Sequence, residues 1–469
     1  MSEVARAQCP DSAESAELAE CECQECEKSE SLGLYYHPIF SKRDVYIKLS
    51  NTNMTSIQPK VAIIGGGPCG LTLGALLHKR GIPFIIYELR SRPTEAELAE
   101  PSGMLDLHEE SGLAAIRACG LYEKLMPLMG DCEESMIIAD KHGNILHADN
   151  GGPADRPEIP RHNIVKLFQS VLPEESIRYN TKLLSATRDL ETGKVILELK
   201  STVDPSTTTS ETYDLVIGAD GAWSKIRPIL SPEKPQSTGL HYLTLNIKHI
   251  TSRYPHLVSL VGKGSFFALG NRHGVDSHRA AQDSAQIYIF LNAPDQDEAV
   301  SSLSKLSIPE LKDRILNDKN SFADYSPSLK DLMSVAFDEE AKNGGNLEIK
   351  PLCTLPPGHR WEHTSGVTLV GDAAHVMHPA GEGVNLAMWD ALDLSEVVVK
   401  AWDESVKEGG VDFKTALGEP LRGFEETMFT RAQEKAEEAR HIFGTMFSED
   451  GAQEMADMMK RFLEMGPPQ

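Results

Sequence analysis

What this chain lacks narrows its class first. Nowhere does it hold about twenty consecutive apolar residues, so no transmembrane helix is expected. Its start has no basic stretch followed by an apolar run, so no secretory signal is expected and the cytosol is the expected compartment. Basic residues are outnumbered: 46 Lys and Arg against 70 Asp and Glu leave a formal net charge of −24. Nucleic acid and anionic membrane would both repel such a chain, and neither is expected as a partner. Paired redox cysteines are missing after the first glycine turn. Cys69, Cys119, Cys132 and Cys353 are scattered with no C-x-x-C among them, so free thiols are expected and disulfide-reductase chemistry is not. Internal repeats are absent too. What remains is a chain of 469 residues, long enough for two or three domains with a sizeable core. Its 40% hydrophobic and 25% charged residues are the proportions of a soluble globular protein.

The first segment differs from the rest. Residues 1–31 are rich in Glu, Ser and Ala and poor in large apolar side chains, a composition that cannot build a core. Cys9, Cys21, Cys23 and Cys26 supply enough thiolates for zinc, but their acidic surroundings and irregular spacing favour a disordered tail. Leu34-Tyr35-Tyr36 and Val45-Tyr46-Ile47 are short apolar patches suited to docking on a surface. From Met54 the chain leads straight into an apolar run, so residues 1–53 are expected to be an acidic extension that the chemistry does not need.

Gly65-Gly66-Gly67-Pro68-Cys69-Gly70 follows the apolar run Val61-Ala62-Ile63-Ile64, and Glu88 stands eighteen residues beyond Gly70. This is the G-x-G-x-x-G turn of a dinucleotide-binding β-α-β unit in its proper setting. Gly65 permits the tight turn, Gly67 lets a pyrophosphate approach the backbone, and Gly70 with Gly74 lets the next helix lie close on the sheet. Free N–H groups and the positive dipole end of that helix suit phosphate. Phe84-Ile85-Ile86-Tyr87 ends at Glu88, whose carboxylate fits an unphosphorylated ribose, as in FAD or NAD, better than that of NADP. No second such motif follows a strand, because Gly262-Lys263-Gly264 lacks the spacing, so a separate NAD(P)H-binding domain is not expected.

Two later segments end buried strands in polar turns. Leu215-Val216-Ile217-Gly218-Ala219-Asp220-Gly221 leads to a helix start with a basic end at Arg227, and Val367-Thr368-Leu369-Val370 ends at Gly371-Asp372. The second continues through His378-Pro379-Ala380-Gly381-Glu382-Gly383-Val384-Asn385 into a helix. Between them, Leu243, Leu245 and Ile247 alternate with Thr244, Asn246 and Lys248, and Ile287, Ile289 and Leu291 alternate with Tyr288 and Phe290. Such alternation predicts an antiparallel sheet with one buried face and one that walls a pocket. Leu113, Ile116 and Leu121 predict one helix face, and a polar loop of Ser and Thr is predicted at 205–211. From Ala387 onward the pattern is helical, and Phe424, Met428, Ala432, Ala436 and Phe443 read as the core-facing stripe of a long helix.

In order and spacing the three glycine-bearing segments resemble the fingerprints of the flavoprotein aromatic hydroxylases, the single-component FAD-dependent monooxygenases. Gly103-Met104-Leu105-Asp106-Leu107-His108, Ser111-Gly112, Ala139–Leu146 and Pro157-Glu158-Ile159-Pro160-Arg161 are similar to the tetracycline-inactivating branch of that family, and the likeness spans Met54 to about Met446. The resemblance implies an α/β fold: a Rossmann-like FAD-binding domain, an inserted antiparallel substrate domain and C-terminal helices. On it, residues 54–234 form the first part of the FAD domain, with part of the substrate region near 122–148; 235–340 form the substrate domain, 341–400 the second part of the FAD domain, and 401–469 the helices. It assigns Gly65, Gly67, Gly70, Glu88, Asp106, Arg161, Asp220, Asp372, Gly383 and Asn385 to the cofactor. Asp372 would bond the ribityl hydroxyls, Arg161 would be a fixed cation beside the flavin, and the helix starting near Gly383 would stabilise the negative charge of reduced flavin.

The same resemblance implies NADPH as transient reductant and hydroxylation through a C4a-hydroperoxyflavin, chemistry carried by the cofactor. It assigns no acid–base residue: His375 reads as structural, and His273 and His278 lie in an unaligned stretch. A flavin oxidase or dehydrogenase reduced by its own substrate and a non-catalytic ligand-binding flavoprotein are the alternatives; the intact Gly-Asp turn weighs against the last. The tryptophans form no W-x-W-x-I-P, which excludes a flavin halogenase. Three departures point away from tetracycline as substrate. Glu382 replaces the usual glutamine of Gly-Gln-Gly, Ala99 stands near the place of a basic residue for NADPH, and Gly264–Gly270 is apolar where polar contacts are expected. A more hydrophobic phenolic or polycyclic compound is expected instead.

Because residues 1–53 offer little apolar surface to bury, their deletion is expected to leave FAD content and melting temperature nearly unchanged. Insolubility or flavin loss in the truncated protein would make the segment part of the fold.

Overall fold

Continuous apolar runs and alternating ones sort into two different sheets. The computed structural model describes residues 58–130, 132–151, 156–293, 298–344 and 347–465; the extension expected over residues 1–53 lies outside the described residues. Val61–Ile64, Leu215–Gly218 and Val367–Leu369 bury every residue, as strands covered on both faces must. They lie side by side in a five-stranded parallel sheet, in the order Val367–Leu369, Leu215–Gly218, Val61–Ile64, Phe84–Tyr87, Ile177–Arg178. Ile64 pairs with Gly218 and Gly218 with Leu369, so all three glycine-bearing turns leave the same edge of the sheet in a row. The carboxyl ends of parallel strands form the crevice where such sheets bind ligands.

The alternating segments form a seven-stranded sheet in the order Lys350–Thr354, Gln236–Ile247, Ser284–Asn292, His273–Ala280, Ser265–Gly270, Met136–Asp140, Ile145–Asp149. Every pairing is antiparallel except that of Met136–Asp140 with Ser265–Gly270. Residues paired across strands share a face. Leu243, Ile289, Val275 and Ala268 point to one side, into a core completed by Leu311, Ile315, Leu329, Met333 and Phe337 of the helices Ile308–Asn317 and Pro327–Lys342. Thr244, Tyr288, Asp276 and Phe267 point to the other side, with Tyr242 and Phe290 one pair further on. Phe443, Phe447, Met455 and Met458 cover part of this second face. Tyr242, Thr244, Phe267 and Tyr288 remain half-buried.

The stripe Phe424, Met428, Ala432, Ala436 and Phe443 is buried along the 34-residue helix Phe413–Met446, so it is core. On the same helix Glu425 is 1% exposed. It accepts hydrogen bonds from Trp361 Nε1 (3.2 Å), Thr368 Oγ1 (2.8 Å) and His363 Nδ1 (2.7 Å), which fasten the helix to the parallel sheet without stranding a buried charge. One expectation fails: the polar stretch at 205–211 is not a loop throughout. Thr208–Tyr213 forms a strand antiparallel to Val195–Ser201. Its threonines are β-branched and suit a solvent-facing edge, where polarity does not oppose pairing. Among the described residues, no helix is long and apolar enough to cross a membrane.

Candidate functional site

Local sterics explain the first glycine turn. Gly65 has φ +110°, and a Cβ there would run into the Ala219 carbonyl; one at Gly70 would run into the carbonyl of Gly65. A Cβ at Gly67 would meet nothing within 4 Å. Gly65 and Gly70 are therefore required by packing, while Gly67 leaves the backbone open to an approaching group. The helix Pro68–Lys79 starts with proline at its first turn and no side-chain cap, so its end keeps unbonded N–H groups suited to an anion. Glu88 Oε2 accepts the Gly66 N–H at 2.7 Å and Oε1 the Arg90 N–H at 2.8 Å. The acid is thereby fixed beside the turn.

The second and third turns are joined by a buried cation. Arg227, 2% exposed, donates from Nε to the Ala373 carbonyl (2.8 Å) and from Nη2 to those of Ala222 (2.7 Å) and Asp372 (3.2 Å). Asp220 accepts the Lys225 N–H at 2.6 Å on Oδ2, while its Oδ1 is buried without a partner. Solvent reaches the Asp372 side chain, yet the protein crowded around it pushes its carboxyl above the usual range, with His375, Arg161 and Arg227 opposing. Behind it, His375 Nε2 donates to Asp390 Oδ2 at 2.6 Å; the same oxygen accepts the Gly371 N–H at 2.9 Å, and Oδ1 accepts Arg431 Nη2 at 3.0 Å. Burial pulls the His375 imidazole down, but the charge and hydrogen bond of Asp390 outweigh it and hold it above its ordinary value. His375 is thus a support of the turn, as the sequence suggests.

The helix Glu382–Val406 starts at the same edge, after Gly381 at φ +90°. A Cβ at Gly383 would meet no atom within 4 Å, so the first turn is open. The Asn385 side chain is consumed by protein. Its Oδ1 accepts the His108 N–H (2.9 Å) and its Nδ2 donates to the Asp106 carbonyl (3.0 Å), which leaves it to clamp the 106–108 segment onto the helix. Asp106 Oδ2 accepts from His108 Nε2 at 2.9 Å. Glu382 pairs with Lys435 at 2.9 Å, and its other oxygen lies 3.8 Å from His108 Nδ1. Arg161 is exposed, and its guanidinium has no hydrogen bond or ion pair among the described residues; its charge acts on Asp372 and also on Tyr242 and Tyr288 of the large sheet. Its charge thus reaches both the crevice and the half-exposed wall.

The structure brings Gly65, Gly67, Gly70, Glu88, Asp106, Arg161, Asp220, Asp372, Gly383 and Asn385 to one edge of the parallel sheet and its neighbourhood. Sequence reasoning missed Arg227, Asp390, Arg431 and Lys435 as its supports. None of them stands out locally, since the helix Phe413–Met446 that carries Arg431 and Lys435 mixes six acidic with five basic residues. The unaligned histidines separate. His273 is buried and bonds the Asn271 carbonyl at 2.7 Å, whereas His278 contacts Glu158 and Ser265 at 2.8 Å each on the wall.

Comparison with known proteins agrees with this geometry. The model of the FAD binding domain family matches residues 58–298 and 359–413. Monooxygenase penA of Penicillium thymicola is 34% identical over 432 residues, covering 86% of this chain and 98% of that protein. Among solved structures, Klebsiella pneumoniae HpxO complexed with FAD and uric acid has TM-score 0.63 at 17% identity, covering 86% of this chain and 92% of that one. Tetracycline destructase Tet(51) has TM-score 0.60 at 18% identity, covering 88% of this chain and 100% of that one. At such identities the structures show a shared fold.

Lys435, which also pairs with Glu438 at 3.2 Å, offsets part of the Glu382 charge at the helix start. Unpaired at roughly 6 Å, a carboxylate would disfavour a reduced anionic flavin by about 3 kcal/mol at an effective dielectric near 20; solvent and the lysine cut this to about 1 kcal/mol, on the order of 20 mV for two electrons. Redox titration is expected to show a higher potential for Glu382→Gln, a lower one for Lys435→Met and a value near wild type for the double variant. Identical potentials in all four proteins would place the pair out of the flavin's reach.

Proposed function

The chain belongs to the FAD binding domain family and is an FAD-dependent monooxygenase, and on that premise we propose that it uses NADPH and O2 to hydroxylate a small hydrophobic aromatic or polycyclic compound. The observation that carries this reading is Arg161, exposed and with no partner for its guanidinium among the described residues, whose charge reaches both Asp372 of the crevice and Tyr242 and Tyr288 of the wall. Glu88 holds the ribose of the adenosine half, and the N–H groups around Gly67 and the start of Pro68–Lys79 hold the pyrophosphate. Asp372 takes the ribityl hydroxyls, with Asp220 beside the neighbouring turn. Asp106 and Arg161 would hold the flavin ring, and the open first turn at Gly383 would offer its N–H groups to the negative charge of the reduced form. Asn385 acts indirectly, by fixing Asp106.

Bound FAD supplies the redox chemistry: two electrons from NADPH and one atom of O2 give the ring hydroxyl, and the second oxygen leaves as water. The protein's residues do the rest. Phe267, Tyr242 and Tyr288 bind the apolar body of the substrate and exclude water from the face opposite Asp372. Residues 235–340, with the strands near 136–149 and Lys350–Thr354, serve the substrate; residues 54–234 and 341–400 serve the cofactor. We place this work in the cytosol.

Purified protein is expected to carry flavin absorbance, to oxidise NADPH faster when hydroxylatable polycyclic phenols are added, and to give product with one oxygen from labelled O2. Anaerobic bleaching by the phenol alone, without NADPH, would instead establish an oxidase or dehydrogenase.

Asp372→Ala removes a carboxylate acceptor from ligand hydroxyls, a loss of about 1.5–3 kcal/mol, or roughly ten- to a hundredfold in Kd. A folded protein largely free of FAD is the expected result. Wild-type FAD affinity measured by fluorescence titration would remove the role given to this residue.

A further inference from the structure

The wall of the large sheet contains one carboxyl that the fold does not use. Asp276, 8% exposed, lies in the strand His273–Ala280, paired with Tyr288 on one side and Phe267 on the other. Its side chain therefore shares the face of Tyr288, Thr244 and Phe267, opposite the packed core of Val275, Ile289 and Leu243. Its Oδ1 is fully buried without a hydrogen-bond partner, and its side chain makes no ion pair with any described residue. The buried acids elsewhere behave differently: Glu425 and Asp390 are each satisfied by three groups. A buried carboxyl kept for stability is paired in this way, because leaving it unpaired is costly. Burial alone pushes the Asp276 carboxyl well above the usual range. A neutral carboxyl offers both a donor and an acceptor.

We propose that Asp276 is the polar anchor of the substrate, hydrogen-bonding a hydroxyl or N–H group carried by an otherwise apolar ring system laid against Phe267 and Tyr288. This rests on the reading of the wall as the substrate site of the monooxygenase. The placement fits the composition of the wall. Ser265–Gly270 offers mainly apolar side chains, so recognition of a polar substituent falls to the neighbouring strand. Of the other polar groups on this face, Gln286 Oε1 already accepts from Tyr288 at 2.7 Å and His278 is bonded to Glu158 and Ser265, while Thr244 opposite Tyr288 offers a neutral hydroxyl. Asp276 therefore distinguishes a ring bearing a donor from the same ring without one. Such discrimination is the kind that a site with a buried polar group achieves and a purely apolar pocket does not.

The test uses FAD-loaded protein and the probes 1-naphthol, 2-naphthol and 9-phenanthrol with their methyl ethers, binding being read from the flavin spectrum. Wild type is expected to prefer at least one phenol over its ether by roughly tenfold or more. The preference should vanish in Asp276→Leu and largely survive in Asp276→Asn, which keeps a donor and an acceptor. The melting temperature of the ligand-free Asp276→Leu holoenzyme should equal or exceed that of wild type, whereas loss of a structural carboxyl would lower it. A preference that persists in Asp276→Leu, or a clear fall in its melting temperature, overturns the proposal. If no probe perturbs the flavin of wild type, the assignment of the wall as substrate site fails, and the anchor with it.

Discussion

Asp390 is the group on which the geometry of the crevice depends. It is fully buried, and it takes hydrogen bonds from the Gly371 N–H, from His375 and from Arg431. These partners lie on the third glycine-bearing turn and on the long C-terminal helix, while Asp390 itself sits on the helix that begins at Glu382. One carboxylate thus sets how far Asp372 projects and where the helix start lies relative to it. Removing one partner from such a buried network strands charge in low dielectric and costs about 3–5 kcal/mol. Arg227 does the complementary work between the second and third turns, through carbonyls only. The turns that carry Asp220 and Asp372 are therefore held from behind by buried charges.

The large sheet divides its labour by pleat. One face is sealed by helices, and the other is left half-open beside Arg161. The strand Ser265–Gly270 contributes the ring of Phe267 to this half-open face. On the same face His278 bonds Glu158 and Ser265, beside the carboxyl of Asp276 proposed above as an anchor.

Much of this was legible before any coordinates. Val61–Ile64, Leu215–Gly218 and Val367–Leu369 are uninterrupted apolar runs, which only a doubly covered strand needs, and each ends in a glycine turn that betrays its task. The alternation of Leu243, Leu245 and Ile247 announced a two-faced strand just as plainly. What stayed hidden depends on partners far apart in sequence. Arg227 meets Ala373 across 146 positions and Lys435 meets Glu382 across 53; no local pattern encodes such pairs. Asp276 was invisible for another reason: a lone aspartate in a strand looks like any solvent-facing residue until its neighbours prove to be Phe267 and Tyr288. The Ser and Thr stretch misled because polarity was taken for irregularity, although β-branched Thr208 and Thr209 favour pairing at an edge.

The parallel pairing of Met136–Asp140 with Ser265–Gly270 has a consequence for how this protein diversifies. A strand from early in the chain completes a sheet otherwise built about 130 residues later, and Lys350–Thr354 closes its far edge from beyond the helices. The substrate region is therefore not a cassette. Recombination that exchanged residues 236–292 alone would leave Lys350–Thr354 on one side and Met136–Asp140, with Ile145–Asp149 behind it, cut for a different partner, so new specificity is reached more readily by single replacements on the half-open face than by transplanting the domain.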